Sequence, residues 1–370
     1  MRYALFLTLV ACTRSPGAGA VASTSASSEA GSSASAPVVA GPVKDLPETD
    51  YEGSFNGAKL YATFAASNGV VSGSLFYPAV GVDIPLEGTL DGGLTLREVG
   101  KSGAVSTTAL AKDASGTFVG TWTSTAGKSG PASLKPIVRK PGEPAVVADR
   151  SVADKADTLC KWSGKSSAFG PKPKSPCRRA GNAPVVLGLA DRAFQKKLNQ
   201  SLLDAAKMTP PENNVGLGVK VTWSATLNAR GVLSIVLTGT FTDEEACARG
   251  SKDCDGVDVF APGHNQGSTT SVVAALDAAA IGSTKDIVDL PKARAAIEPI
   301  VKKGYSMCVT SGPDDWMEGV MGVALTEQGI SIHHDNCGNH VHSDVWDVVP
   351  YAQVRGALKT GSPFEPAWSK

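Results

Sequence analysis

The chain carries no net charge, because its 35 Lys+Arg residues are matched by 35 Asp+Glu. The broad basic face that counterion-driven binding to nucleic acid needs is therefore missing, and no nucleic-acid partner is expected. Nor is there a run of the roughly 18 to 20 apolar residues that a bilayer-spanning helix needs, which excludes a polytopic membrane protein. No CxxC spacing occurs among the seven cysteines, which weakens a zinc-centre reading of them. The Gly-x-Ser-x-Gly string of many hydrolases is absent, and so is any paired-carboxylate or Ser-His-Asp signature. Gly127-Lys128-Ser129 and Gly164-Lys165-Ser166 end like a phosphate loop, but Trp122 and Leu159 stand where its first glycine belongs.

What is present begins at the N-terminus. Arg2 gives a small positive region, residues 3–10 are almost all apolar, and Leu9-Val10-Ala11-Cys12 fits the lipobox of bacterial lipoproteins. That resemblance implies a signal peptide over residues 1–11, a lipid on Cys12 and attachment to a membrane of the cell envelope. Thr13, where an Asp would favour retention at the inner membrane, favours the outer membrane of a two-membraned cell. Residues 12–48 are crowded with Ser, Ala, Gly and Pro and hold few large apolar side chains. They cannot offset their ordering entropy and are expected to be a disordered tether.

Residues 49–140 alternate with period two, as in Leu60/Ala62/Phe64, Val82/Ile84/Leu86, Leu94/Leu96 and Phe118/Gly120/Trp122. Asn68-Gly69 and Asp91-Gly92-Gly93 supply tight turns between these runs. The spacing predicts antiparallel hairpins closing into a small barrel or sandwich. Ile84-Pro85-Leu86-Glu87-Gly88 and Gly120 to Ser124 resemble a small β-module of bacterial envelope lipoproteins. No cluster of titratable groups stands out in it, so it reads as a binding or spacing element.

Residues 141–183, rich in Pro, Lys and Ser, read as an irregular linker stapled by Cys160 and Cys177. In residues 184–360 an apolar run precedes a helix that Asp191 caps and whose Phe194, Leu198 and Leu202 share one face. Strands are predicted over 219–226, 232–240, 305–310, 320–325, 330–334 and 345–348. A helix opens near Pro291, which Pro299 is expected to shorten, and another short one closes the region at 353–358. The predicted fold class is α+β: a small antiparallel β barrel or sandwich module followed by an antiparallel α+β domain.

The second domain carries Pro184-Val185-Val186-Leu187-Gly188-Leu189, Asn199, Gly231 to Ile235, Gly263-His264, Leu276-Asp277, Ala324 to Ile330 and Val349-Pro350-Tyr351 in that order. In these strings it resembles the extracellular domain shared by the lysozyme-sensing anti-sigma-V factor and the N-terminal part of the peptidoglycan deacetylase PdaC. The resemblance implies a ligand-binding ectodomain, with lysozyme or a peptidoglycan-related ligand as the specific guess. The chain departs from the anti-sigma pattern in lacking a transmembrane helix and a sigma-binding segment.

Apart from Cys12, the cysteines are Cys160, Cys177, Cys247, Cys254, Cys308 and Cys337, an even number that in an exported chain favours three disulfides. Of the fifteen possible connectivities, sequence proximity favours 160–177, 247–254 and 308–337. The segment from His333 to Asp344 holds four of the five histidines. If its end is extended, His340, His342 and Asp344 fall on one face, within reach of His333 or His334, and the set is a candidate Zn²⁺ or Cu²⁺ site. The alternative is a polar, exposed hairpin with solvated histidines. Asp253 to Asp258 has a calcium-loop flavour without the closing Glu, and His264 has no nucleophile beside it in any motif. The expected function is a surface-tethered envelope lipoprotein that binds a protein or glycan ligand without catalysis or cofactor. A metal-dependent envelope hydrolase or metal-binding protein built on the 333–344 cluster is the alternative.

Overall fold

Asn56-Gly57 and Asn68-Gly69 both place two consecutive residues at positive φ (49° and 80°, 51° and 80°), the geometry of a two-residue type I′ hairpin. They join β1 (Leu46–Phe55) to β2 (Ala58–Ser67), and β2 to β3 (Val70–Phe76). Five more strands follow: β4 (Ile84–Leu90), β5 (Leu94–Gly100), β6 (Gly103–Lys112), β7 (Phe118–Ser124) and β8 (Ser129–Ile137). Each pairs antiparallel with the next, and β8 returns to β1, so the eight form a closed barrel. The structure is a computed structural model that describes residues 44–101, 103–152, 179–208, 218–242, 267–305, 315–317, 320–336 and 343–369. All of these belong to one compact unit, Pro42–Lys370.

Period-two alternation decides what the barrel holds. Leu60, Phe64, Leu75, Leu86, Leu94, Leu96, Phe118 and Leu134 fill its interior, where Tyr51 stacks on Phe64 at 4.2 Å. Outward positions such as Lys59, Arg97, Thr121 and Lys135 are exposed. An apolar inside and a polar outside is the reverse of a membrane barrel. Among the described residues no helix is long and apolar enough to cross a membrane. Tight curvature needs close strands, and Gly120 meets it: a Cβ there would lie 1.9 Å from the Ala109 carbonyl oxygen.

The rest of the unit is built on a six-stranded sheet in the order β14-β13-β12-β11-β10-β9. Its strands are β9 (Val146–Ser151), β10 (Arg179–Leu187), β11 (Gly218–Ala229), β12 (Val232–Thr242), β13 (Gly267–Ala275) and β14 (Ala280–Gly282). β9 lies inside the stretch that reads as an irregular linker. It is ordered by pairing with β10 from Val146↔Leu187 to Ser151↔Asn182, a partner no local pattern reveals. Leu233, Ile235, Leu237 and Ala274 on one face pack against helix α1 (Arg192–Ala205) through Phe194, Leu198 and Leu202.

Val232, Val273 and Ala275, on the opposite face, join a second core with helix α3 (Leu290–Tyr305) and a three-stranded sheet. That sheet is β15 (Val320–Leu325), β16 (Gly329–Asn336) and β17 (Ser343–Pro350), in that order. Short helices α2 (Thr284–Ile287) and α4 (Tyr351–Val354) flank it, the latter in place of the helix expected at 353–358. α3 passes straight through Pro299, contrary to the expected shortening. Ala293, Ile297 and Val301 are at most 3% exposed, and their packing outweighs one lost backbone bond. Tyr305 ends this helix, and the strand expected at 305–310 otherwise lies outside the described residues. Antiparallel β structure dominates the whole unit and helices are few, so the α+β description fits only in part.

Candidate functional site

The alternation Leu94, Leu96 continues to Glu98, so the β5 backbone carries a carboxylate into the barrel interior near the end of the strand. Glu98 is 5% exposed. Its Oε1 accepts three hydrogen bonds, from Ser106 Oγ at 2.6 Å, Trp122 Nε1 at 2.9 Å and Tyr77 OH at 3.2 Å. The donors come from β6, β7 and the residue after β3. All four groups sit toward the barrel end that carries the turns at 55–58, 100–103 and 124–129. Burial and the charge of Glu98 push the Tyr77 phenol well above its usual range, so Tyr77 stays a neutral donor. No cation pairs with Glu98 among the described residues. Oε2 is engaged by none of these donors and is not sealed from water, while Trp122 and Tyr77 stay partly exposed beside it. Sequence reading passed over Glu98, although an acidic residue on the inward parity of an apolar run was a usable signal.

Chemically this mouth offers an acceptor and two aromatic rings. Ser106 donates to Glu98 with no imidazole between them, and a lone carboxylate is a weak base for a hydroxyl, so the pair does not constitute an activated nucleophile.

A second buried carboxylate joins the barrel to the larger sheet. Asp50 faces outward from β1 and accepts from Arg192 NH1 and NH2 (each 2.6 Å), the Gly188 backbone N–H (2.6 Å), Thr63 Oγ1 (2.6 Å) and Gln195 Nε2 (2.8 Å). Burial alone would raise its pKa, but the Arg192 bonds, helped by Gly188, Thr63 and Gln195, hold it below the ordinary range. Asp191 caps the helix that presents Arg192 by accepting from the Phe194 N–H at 2.9 Å, as its sequence position predicts. Around this clamp Tyr61, Phe76 and Ile137 of the barrel wall pack on Ala148, Val185 and Leu187.

Two histidines of the 333–344 segment are not the solvated residues that its composition suggests. His333 and His334 lie in β16 and are 1% and 2% exposed. Neighbours in a strand face opposite sides, so one metal ion cannot take both. His334 Nε2 is 2.8 Å from Asp347 Oδ2, on the side of Ile332 and Val349. His333 stacks on Trp346 at 4.7 Å and 9°, with Gly322 beside it facing Ser271. The burial arises because this small sheet is covered on both faces, by the α3 core and by β13. The register pairs Asp344 with Asp335. Among the described residues no three His, Cys, Asp or Glu groups gather as a metal would require. His340, His342 and His264 lie outside the described residues, as do Asp253 to Asp258, Cys12 and the six cysteines of the expected disulfides.

No protein-family model matches the chain, and no curated protein matches it. Among solved structures, a DUF3298-family protein from Bacteroides fragilis aligns with 63% of this chain and 100% of its own, at 11% identity and a TM-score of 0.38. A DUF3298-family protein from Pseudomonas aeruginosa aligns with 60% of this chain and 97% of its own, at 11% identity and a TM-score of 0.34. Neither is described as an anti-sigma factor or a deacetylase, and the resemblance of residues 184–360 to those ectodomains goes forward as a proposal.

Proposed function

We propose that this protein is a lipid-anchored envelope lipoprotein that captures a ligand and performs no catalysis. Support for the binding role rests on the barrel mouth, where a buried carboxylate with no counter-ion among the described residues is hydrogen-bonded by two partly exposed aromatic side chains. Support for the location comes from Leu9-Val10-Ala11-Cys12 and the Ser/Ala-rich tether, with Thr13 favouring the outer membrane. The ligand is a protein or a glycan, and the ectodomain resemblance makes lysozyme or a peptidoglycan fragment the first to try.

Two measurements test this. Cys12→Ser moves the protein from the membrane fraction to the soluble one and removes the lipid mass; a lipidated, membrane-bound variant would overturn the location. Capture with residues 45–370 from envelope extract and from lysozyme-containing fluid should retain one ligand. Retention of none, together with turnover of an envelope polymer, would replace binding with hydrolysis.

A metal-binding protein or metal-dependent hydrolase is the second reading. The observation in its favour is the His334–Asp347 contact, the arrangement by which a carboxylate orients a ligating imidazole. Metal analysis of the purified protein, with His340→Ala and His342→Ala, decides it: bound zinc or copper lost in both variants establishes the site.

A further inference from the structure

We infer that the mouth of the barrel is a recognition site for an organic ammonium group, which Glu98 Oε2 accepts between Trp122 and Tyr77. The inference rests on the binding reading above and names the ligand chemistry of that mouth. A carboxylate withdrawn from water is costly unless its charge is balanced or fully hydrogen-bonded. Here three neutral donors converge on one oxygen, Oε1, and leave Oε2 outside the network. The other buried carboxylate among the described residues, Asp50, shows what a complete structural solution looks like, with both oxygens taken and a guanidinium alongside. At Glu98 no cation among the described residues balances the charge, and Oε2 stays open to one from outside.

The class of that partner follows from the walls. A divalent metal ion needs several oxygen or nitrogen ligands, and no cluster of three acidic, His or Cys groups lies here. An ammonium group can be held by a single carboxylate oxygen through a charge-assisted hydrogen bond, which Glu98 Oε2 offers, with its alkyl part against the partly exposed rings of Trp122 and Tyr77. The hydrogen bonds also fix the two rings. Trp122 and Tyr77 both turn a polar edge to Oε1, so their positions are set before any ligand arrives, and little ordering is left to binding. Ser106 and Thr108, 2% and 1% exposed, close the floor with groups too small to compete for the site.

The test uses the full chain and n-butylammonium chloride as probe. The Trp122 indole N–H resonance, assigned by its loss in Trp122→Phe, should shift saturably with a midpoint in the millimolar range, about what a five-heavy-atom ligand with one charged contact allows. n-Butanol, equal in length and uncharged, should give no saturable shift. Glu98→Gln should raise the midpoint roughly tenfold or more by removing the charge-assisted contact. No saturable response to n-butylammonium, an equal response to n-butanol, or an unchanged midpoint in Glu98→Gln would overturn the inference. If that variant does not fold, the contrast between the two probes on the unaltered protein decides alone. Failure here leaves the capture experiment of the preceding section untouched.

Discussion

Two carboxylates among the described residues are more than nine-tenths buried, and their surroundings differ in kind. Asp50, on the outside of the barrel, meets five donors, two of them from one guanidinium, and both its oxygens are used. Glu98, on the inside, meets three neutral donors at one oxygen. A group that holds two lobes together gains from complete satisfaction, because any residual polarity is a loss. A group meant to receive something must keep part of its capacity unspent. The contrast separates strut from receptor without reference to sequence motifs.

The comparison breaks most visibly at the strut. Arg192→Ala leaves the buried Asp50 carboxylate without its counter-charge and should lower stability by about 3 to 5 kcal/mol, measured by denaturant unfolding. Asp50→Ala should cost less, because Arg192 is partly exposed and keeps Glu48 at 3.2 Å. The double variant should cost less than the sum, because each single change already abolishes the same contact. Acid titration probes the same bond. A carboxyl held below its usual value in the folded state contributes stability fully above the unfolded pKa of about 3.9. That contribution should fade as the pH drops below 4 toward the folded value, and the fading should be absent in Asp50→Ala.

At the receptor the effects are smaller. Glu98→Ala strands the donors of Ser106, Trp122 and Tyr77 and should cost about 1 to 3 kcal/mol. Glu98→Gln keeps an acceptor in place and should stay within about 1 kcal/mol of the parent, so equal losses for Ala and Gln would erase the distinction drawn here. Smaller again, Asp191→Ala removes the cap of the helix that presents Arg192 and should cost about 1 kcal/mol by thermal melting.

Sequence alone revealed the local features. The Asn68-Gly69 hairpin, the alternating barrel strands, the Asp191 cap and the Phe194/Leu198/Leu202 face each depend on residues within a few positions of one another. What stayed hidden is non-local. Asp50 finds Arg192 across the chain, and β9 becomes a strand only because β10 lies beside it. His333 and His334 look solvated in a run of polar residues, and it is the cover of β16 on both faces that buries them. Glu98 sits between these cases. Its inward parity was readable from Leu94 and Leu96, and Ser106 is its cross-strand partner in the β5–β6 hairpin, but Trp122 comes from β7 and Tyr77 from just beyond β3.

The seam of that barrel has a consequence for how the protein is made. Strands β1 to β8 pair in order of synthesis, each with the one just before it, and only the β1–β8 edge waits for the last strand. Asp50 and Ile137 face each other across this edge, and the guanidinium that clamps Asp50 belongs to residue 192, later in the chain than any barrel strand. If the chain folds from its N-terminus, the sheet therefore passes through an interval with two open edges, followed by one in which the ring is shut but its latch is not yet in place. An open edge is a template for pairing with a neighbour. The hazard in the folding of this chain thus falls before residue 192 docks on Asp50.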